Sequence, residues 1–353
     1  MDIAPFELER WLAEHEHDAA VNLGDSGVRP LDAARFDTDP GELGYVIPTQ
    51  GDPALRETVS ERYGRGAAEV AFTCGTQEAN FLVFASLLDE DGHAVTVTPT
   101  YQSLHAVPEA VGEVTRVPLS PPDWELDPAA VAEAVRPETD LIVLNNPNNP
   151  TGRNHDAETV RALYELAEDY DAFLLGDEVY RGFADDPVDP VASMGPRGIS
   201  TAGLSKTWGL PGLRFGWVAG PEDVVTAACE WKDYTTISPS AFGQHVARQA
   251  LDREAELVGE NREHARHNRG LVADSLEEWG LSWHEPVGVT GFATVPERFE
   301  SGEAFCRRLV AETGVLLVPG DSFGHPGYVR IGFGVETAEL REGLDRIGSF
   351  LQG

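Results

Sequence analysis

Lysine is almost absent from this chain: Lys206 and Lys232 are the only two among 353 residues. Lys206 lies in GLSKTWGLPGLRFGW, an apolar segment in which glycines at 203, 209, 212 and 216 let backbone approach something closely. A surface lysine is the ordinary alternative, but this composition has purged surface lysines. Arginine would keep the charge and lose the nucleophilic amine, so the retained amine points to covalent chemistry.

Other polar groups recur where apolar runs end. FTCGTQEANF puts Gly75, Thr76 and Gln77 between a short strand and a helix, where free amides would face an anion such as phosphate; an ordinary capped N-terminus is the competing account. VTPTYQSL leads to Tyr101, whose ring either lies flat on a planar ligand or closes the core edge. LIVLNNPNNPTG presents the carboxamides of Asn145, Asn146, Asn148 and Asn149 at a strand end, although turn chemistry alone accounts for a single Asn-Pro pair.

AFLLGDEVYRGF places Asp177 and Glu178, with Tyr180 close by, after an apolar strand, where a carboxylate needs a cation, a metal, backbone amides or a structural ion pair. Arg214 suits a phosphate and Arg330, in GYVRIGFG, a carboxylate; either could also balance surplus acid. An amine, an anion pocket, a stacking tyrosine, an aspartate and two arginines together describe pyridoxal 5′-phosphate chemistry. Lys206 would hold the aldehyde as a Schiff base, and Asp177 would pair with the pyridinium nitrogen so that the ring acts as an electron sink.

The elements that must position these groups alternate. EANFLVFASLLDE, VAEAVR and AETVRALYELAEDY read as helices, and AVTVT, LIVLN and AFLLGDE as strands, so an α/β fold with a mostly parallel sheet covered by helices is expected. FELERWLAEHEH and DPALRETVSERYG read as earlier helices, and residues 241 to 279 as one long polar helical region. The end reads strand, helix, strand, strand, helix: FATV, GEAFCRRLVAETG, VLLVP, YVRIGF and TAELREGLDRIGSFLQ. Residues 40–270 are therefore assigned to a large cofactor-binding domain, with 1–39 and 271–353 forming a smaller α+β domain.

Sixty acidic residues against 26 basic ones give a formal net charge of −34, which argues against nucleic acid and anionic membranes as partners. With lysine nearly replaced by arginine, the excess fits a salt-saturated cytoplasm, where a Debye length of roughly 3 Å at 1 M screens self-repulsion. Cys74, Cys229 and Cys306 are odd in number and far apart, which suggests neither a disulfide framework nor a zinc site. No leader-like or membrane-spanning run is evident, so a soluble cytoplasmic protein is expected.

In this order the motifs resemble the fold type I, class I/II aminotransferases, from about residue 45 to 333. Asn149 precedes Asp177 by 28 positions and Asp177 precedes Lys206 by 29, as is usual there. The resemblance implies that Lys206 bonds the cofactor and then moves the proton in the 1,3-shift. Asp177 would keep the ring nitrogen protonated, Asn149 and Tyr180 would meet the ring hydroxyl, and Tyr101 would stack on the ring. Gly75, Thr76, Gln77, Ser205 and Arg214 would receive the phosphate, and Arg330, with Gly24 and Asn149, the substrate. A homodimer with its sites at the interface is implied, using an amino acid and a 2-oxo acid.

Three departures stand out. Gly203 occupies a position where the family usually carries a hydroxyl on the phosphate, so the site is one donor weaker or Thr201 substitutes. Tyr45 resembles a tyrosine that reaches the neighbouring subunit's phosphate, but lies one position too far from Gly51. VNLGDSGVRPL differs from the commoner GEPDF-like segment, and Gly24, Asp25, Ser26, Gly27 and Arg29 sit where relatives contact substrate. With FELERWLAE, it looks like the subgroup around capreomycidine synthase, which cyclises a hydroxylated arginine. A lyase or cyclase outcome is therefore the alternative to transamination, and a binding protein without turnover is the reading that retention of Lys206 opposes.

Overall fold

The computed structural model describes residues 3–353. Its strands, in chain order, are β1 (Val21–Asn22), β2 (Val70–Cys74), β3 (His93–Thr98), β4 (Glu113–Pro118), β5 (Thr139–Asn145), β6 (Phe173–Asp177), β7 (Gly198–Gly203), β8 (Phe215–Ala219), β9 (Thr290–Thr294), β10 (Val315–Leu316), β11 (Val318–Pro319) and β12 (Tyr328–Gly332). Seven of them make one sheet in the order β2-β8-β7-β6-β5-β3-β4. β8 alone runs against its neighbours β2 and β7, whereas the pairings among β3 to β7 are parallel.

A central parallel strand must bury both faces, which is why LIVL is apolar without alternation. Leu141 and Val143 pack with Ala79 and Val83 of the Gly75–Leu87 helix, while Ile142 and Leu144 pack with Val160, Leu163 and Tyr164 of the Ala157–Asp169 helix. Several helix starts are written in the sequence. Asp52, Asp127 and Asp156 each accept a hydrogen bond from a first-turn amide, and Pro53 and Pro128 follow two of them at the first turn.

The small sheets close a second core. β1 pairs in parallel with β10, and β11-β12-β9 is antiparallel. Leu8, Trp11, Val21 and Leu23 from the N-terminal segment pack there with Val315, Val329, Ile331, Leu340 and Leu344. The Glu254–Trp279 helix gives Leu257 and Val258 to the core beside β2 and β8, and Ala265, Val272 and Leu276 to this one.

Two elements differ from expectation. The polar region from 241 is two helices, Ala241–Asp252 and Glu254–Trp279, which meet at Arg253. VLLVP is two strands in two sheets, because the chain leaves β1 after Leu316 and joins β12 at Val318. Among the described residues no helix is long and apolar enough to cross a membrane, and all three cysteines are free.

Candidate active site

Parallel strands deliver their polar ends to one edge of the sheet, and ligands gather beyond it. Asn145 and Asp177 lie opposite each other in the β5–β6 register, and Thr201 lies opposite Asp177 on β7. The helix that follows β2 starts at Gly75, three residues earlier than EANF suggests, and so points its first amides at the same edge.

A cavity of about 260 Å³ opens there, lined among others by Gly24, Thr76, Gln77, Tyr101, Asn149, Asp177, Tyr180, Ser205, Lys206, Arg214 and Arg330. Of the residues that the resemblance assigns a part in holding cofactor or substrate, only Gly75 is outside the lining; Asn146, Asn148 and Glu178, also candidates at the strand ends, lie outside it, as do Gly27 and Arg29. The Gly75 φ of +74° is the left-handed region that glycine tolerates, and a Cβ on it would stand 2.6 Å from Arg214 Nη2. Gly216 of β8 makes room in the same way, since its Cβ would lie 2.6 Å from the Thr76 amide nitrogen.

Asp177 is 6 % exposed, and burial pushes its carboxyl up to about 6. Asn80 donates to its Oδ2 at 2.8 Å and accepts the Thr201 hydroxyl at 2.6 Å. Asn145 donates to the Asp177 carbonyl at 3.0 Å and takes the Asn149 amide at 2.7 Å. Asn149 accepts Arg330 Nη1 at 3.1 Å, and Arg330 Nη2 reaches the Gly24 carbonyl at 2.6 Å. The arginine is 1 % exposed, and its Nε has no partner. A buried guanidinium held by neutral oxygens is an anion receptor awaiting a carboxylate.

Lys206 Nζ donates to Ser26 Oγ at 2.9 Å. Tyr101 donates to Glu9 at 3.1 Å and packs against Phe6 at 5.0 Å between ring centroids. Tyr180 donates to the Ser26 carbonyl at 3.2 Å, and Ser103 to Gln77 at 2.9 Å. Arg214 Nη1 makes long contacts with Ser205 Oγ at 3.4 Å and the Pro211 carbonyl at 3.2 Å.

A family model for class I and II aminotransferases matches residues 23–347. The chain belongs to this family. Capreomycidine synthase of Streptomyces vinaceus is 34% identical to it, covering 98% of this chain and 93% of its own length. The crystal structure of a PLP-dependent aminotransferase from Streptococcus suis superposes with a TM-score of 0.94 at 32% identity, covering 100% of this chain and 98% of the other. The PLP-dependent cyclase OrfR gives 0.92 at 30%, with the same coverages of 100% and 98%.

The fold is that of the aspartate aminotransferases, and the donor set fits pyridoxal phosphate. An amine, a buried carboxylate, an amide-rich helix start and an arginine without a carboxylate partner among the described residues stand around one cavity. The departures from family pattern also have physical reasons. A Cβ at Gly203 would lie 2.8 Å from Thr76 Oγ1 and 2.8 Å from the Phe215 carbonyl, so the place of a hydroxyl side chain is taken by Thr76. Thr201 is fully buried and donates to Asn80, which corrects the idea that it substitutes at the phosphate. Tyr45 is 79% exposed and lies on a different surface groove, with Pro40 and His245. Arg29 pairs with Glu336 at 3.1 Å, not with the cavity.

Asn80 and Glu9 also line the cavity without having been singled out in the sequence, whereas Ser26, in the segment expected at the substrate, lines it beside Lys206. Asn80 had a signal, being a lone carboxamide on the apolar NFLVFASLL helix. Glu9 had none beyond its place in a surface-like helix.

Proposed function

We propose that this chain uses pyridoxal 5′-phosphate, carried by Lys206, to move an amino group from an amino acid to a 2-oxo acid. The observation that carries the reading is the joint placement of the Lys206 amine, the Asp177 carboxylate and the unsatisfied Arg330 guanidinium around one cavity. The cofactor supplies an aldehyde to capture the amino group and a ring that delocalises the electron pair left at Cα.

The chain's residues supply the rest. Asp177 keeps the ring nitrogen protonated, and Asn80 orients it. Asn149 and Tyr180 meet the ring hydroxyl, and Tyr101 covers a ring face. The helix start at Gly75, Thr76 and Gln77, with Ser205 and Arg214, receives the phosphate. Arg330, beside Gly24 and Asn149, would take the α-carboxylate, and Lys206, lining the same cavity, would be the group that removes and returns the Cα proton.

A second reading has a specific support: capreomycidine synthase and the cyclase OrfR are both similar over nearly the whole chain. In it the same proton removal is followed by loss of a substituent or ring closure, without an oxo acid. Product formation measured with and without added 2-oxo acid separates the two. Strict dependence supports transamination, and full turnover without it supports the cyclase or lyase reading.

A homodimer belongs to the proposal. Residues 43–51 and 234–244 carry no charged side chain in a chain of net charge −34. They expose Leu43, Tyr45, Ile47 and Tyr234 by 77–87%. On such a face two copies could meet without bringing like charges together. Sedimentation in molar salt should give twice the chain mass, and a monomer would refute it.

A further inference from the structure

Residues 24–27 form a short strap across the cavity, and the strap is fixed at several points. The Gly24 carbonyl accepts Arg330 Nη2, and the Ser26 carbonyl accepts the Tyr180 hydroxyl. Just outside, Gly332 N–H donates to the Leu23 carbonyl at 2.7 Å and Arg29 N–H to the Gly334 carbonyl at 2.7 Å. A Cβ at Gly332 would collide with the Asp25 carbonyl, and one at Gly334 with that of Gly27. Glycine at both positions lets the strap lie directly on the chain around the end of β12.

Ser26 is 8% exposed on this rigid support, and its hydroxyl meets Lys206 Nζ at 2.9 Å. Among the described residues this is the amine's one hydrogen bond. A lysine stem has many rotamers, and an amine that must take a proton at one carbon and deliver it at another gains from confinement.

We propose that Ser26 is a positioning residue for Lys206. The proposal rests on the reading that Lys206 moves the Cα proton. Whenever the amine is not bonded to the cofactor, its N–H donates to Ser26 Oγ, which holds it toward the end of the cavity marked by Gly24 and Arg330. Ser26 accepts throughout and neither gives nor takes a proton, so the proton balance is that of Lys206 alone.

The test uses Ser26→Ala, Ser26→Thr and Lys206→Ala in the full chain. With pyridoxamine 5′-phosphate bound, Lys206 is a free amine, and Lys232, 2% exposed, serves as the protected reference. Peptide masses after brief reductive methylation should show Lys206 of Ser26→Ala modified several-fold faster than in wild type, and Ser26→Thr restored. In steady state, Ser26→Ala should lower kcat about tenfold with KM within twofold, about the size expected for loss of one hydrogen bond, and Ser26→Thr should recover most of it.

Wild-type methylation and kcat in Ser26→Ala would overturn the proposal. So would a loss of cofactor affinity and a raised KM alongside kcat, because the strap would then be merely structural. Lys206→Ala separates the two levels: if it is inactive while Ser26→Ala behaves as wild type, only the role of Ser26 fails. If Lys206→Ala turns over normally, the reading of the whole site fails.

Discussion

A carboxylate that is 6% exposed and survives on three neutral donors is poised for a cation. Burial pushes Asp177 up to about 6, and a protonated ring nitrogen placed against it would oppose that shift. Asn80 matters here because it links Asp177 to Thr201 through both ends of one carboxamide. Asn80→Ala leaves a buried hydroxyl without its acceptor and the carboxylate without its shortest donor, at about 1–3 kcal/mol. A lower melting temperature and a roughly tenfold fall in kcat are expected. Unchanged values for both would show that Asn80 is a bystander. Lys232, the other retained lysine, donates to the carbonyls of Thr49 at 3.1 Å and Ile237 at 2.6 Å. It therefore ties together the two uncharged stretches from 43 and 234, and both lysines have a placed amine.

At the scale of elements, the chemistry-bearing strand ends were the most legible part of the sequence. Asn145, Asp177 and Lys206 follow apolar runs that had to be buried strands or lie beside them, so their convergence at one edge followed from the α/β pattern. β7 and β8 were less legible, because Gly198, Ser200, Ala202 and Gly203 dilute Ile199 and Thr201 in GISTAG, and Gly216 interrupts the aromatic and branched residues of FGWVA. The division of VLLVP was hidden because a five-residue apolar run does not reveal that its halves have different partners. Ser26 and Asn80 could be seen but not assigned, since their partners are 180 and 121 residues away.

The turn after β6 also carries a pH dependence. Glu178 is buried, accepts the Val191 amide at 2.7 Å and the Ser200 hydroxyl at 2.9 Å, and burial pushes it up to about 7. With the folded value above its ordinary 4.5, its protonation favours the folded state, most fully below about 4.5. That contribution is lost as pH rises through about 7. Glu178→Gln should flatten the fall of melting temperature between those limits, in apoprotein melts at constant salt. An identical slope in the variant would assign the dependence to other groups.

For the whole molecule, charge sets the conditions of stability. The net −34 is partly relieved by arginines that each serve acidic partners, as Arg35 does with Glu256 and Glu260 and Arg307 with Glu14 and Glu303. The remaining repulsion is screened as the Debye length falls from about 10 Å at 0.1 M salt to roughly 3 Å at 1 M. The melting temperature should rise by several degrees between those salt concentrations, and a flat or falling response would contradict adaptation to high salt.

In the proposed reaction Lys206 carries the cofactor, and an amino group passes through it. The most direct measurement is the visible absorbance of wild type and Lys206→Ala in molar salt with pyridoxal 5′-phosphate, titrated first with amino acids and then with a 2-oxo acid. Wild type should show a band that bleaches with an amino acid and returns with the oxo acid, and the variant should lack the protein-bound band. A wild type that forms no band, or a variant that forms the same one, would contradict that role of Lys206.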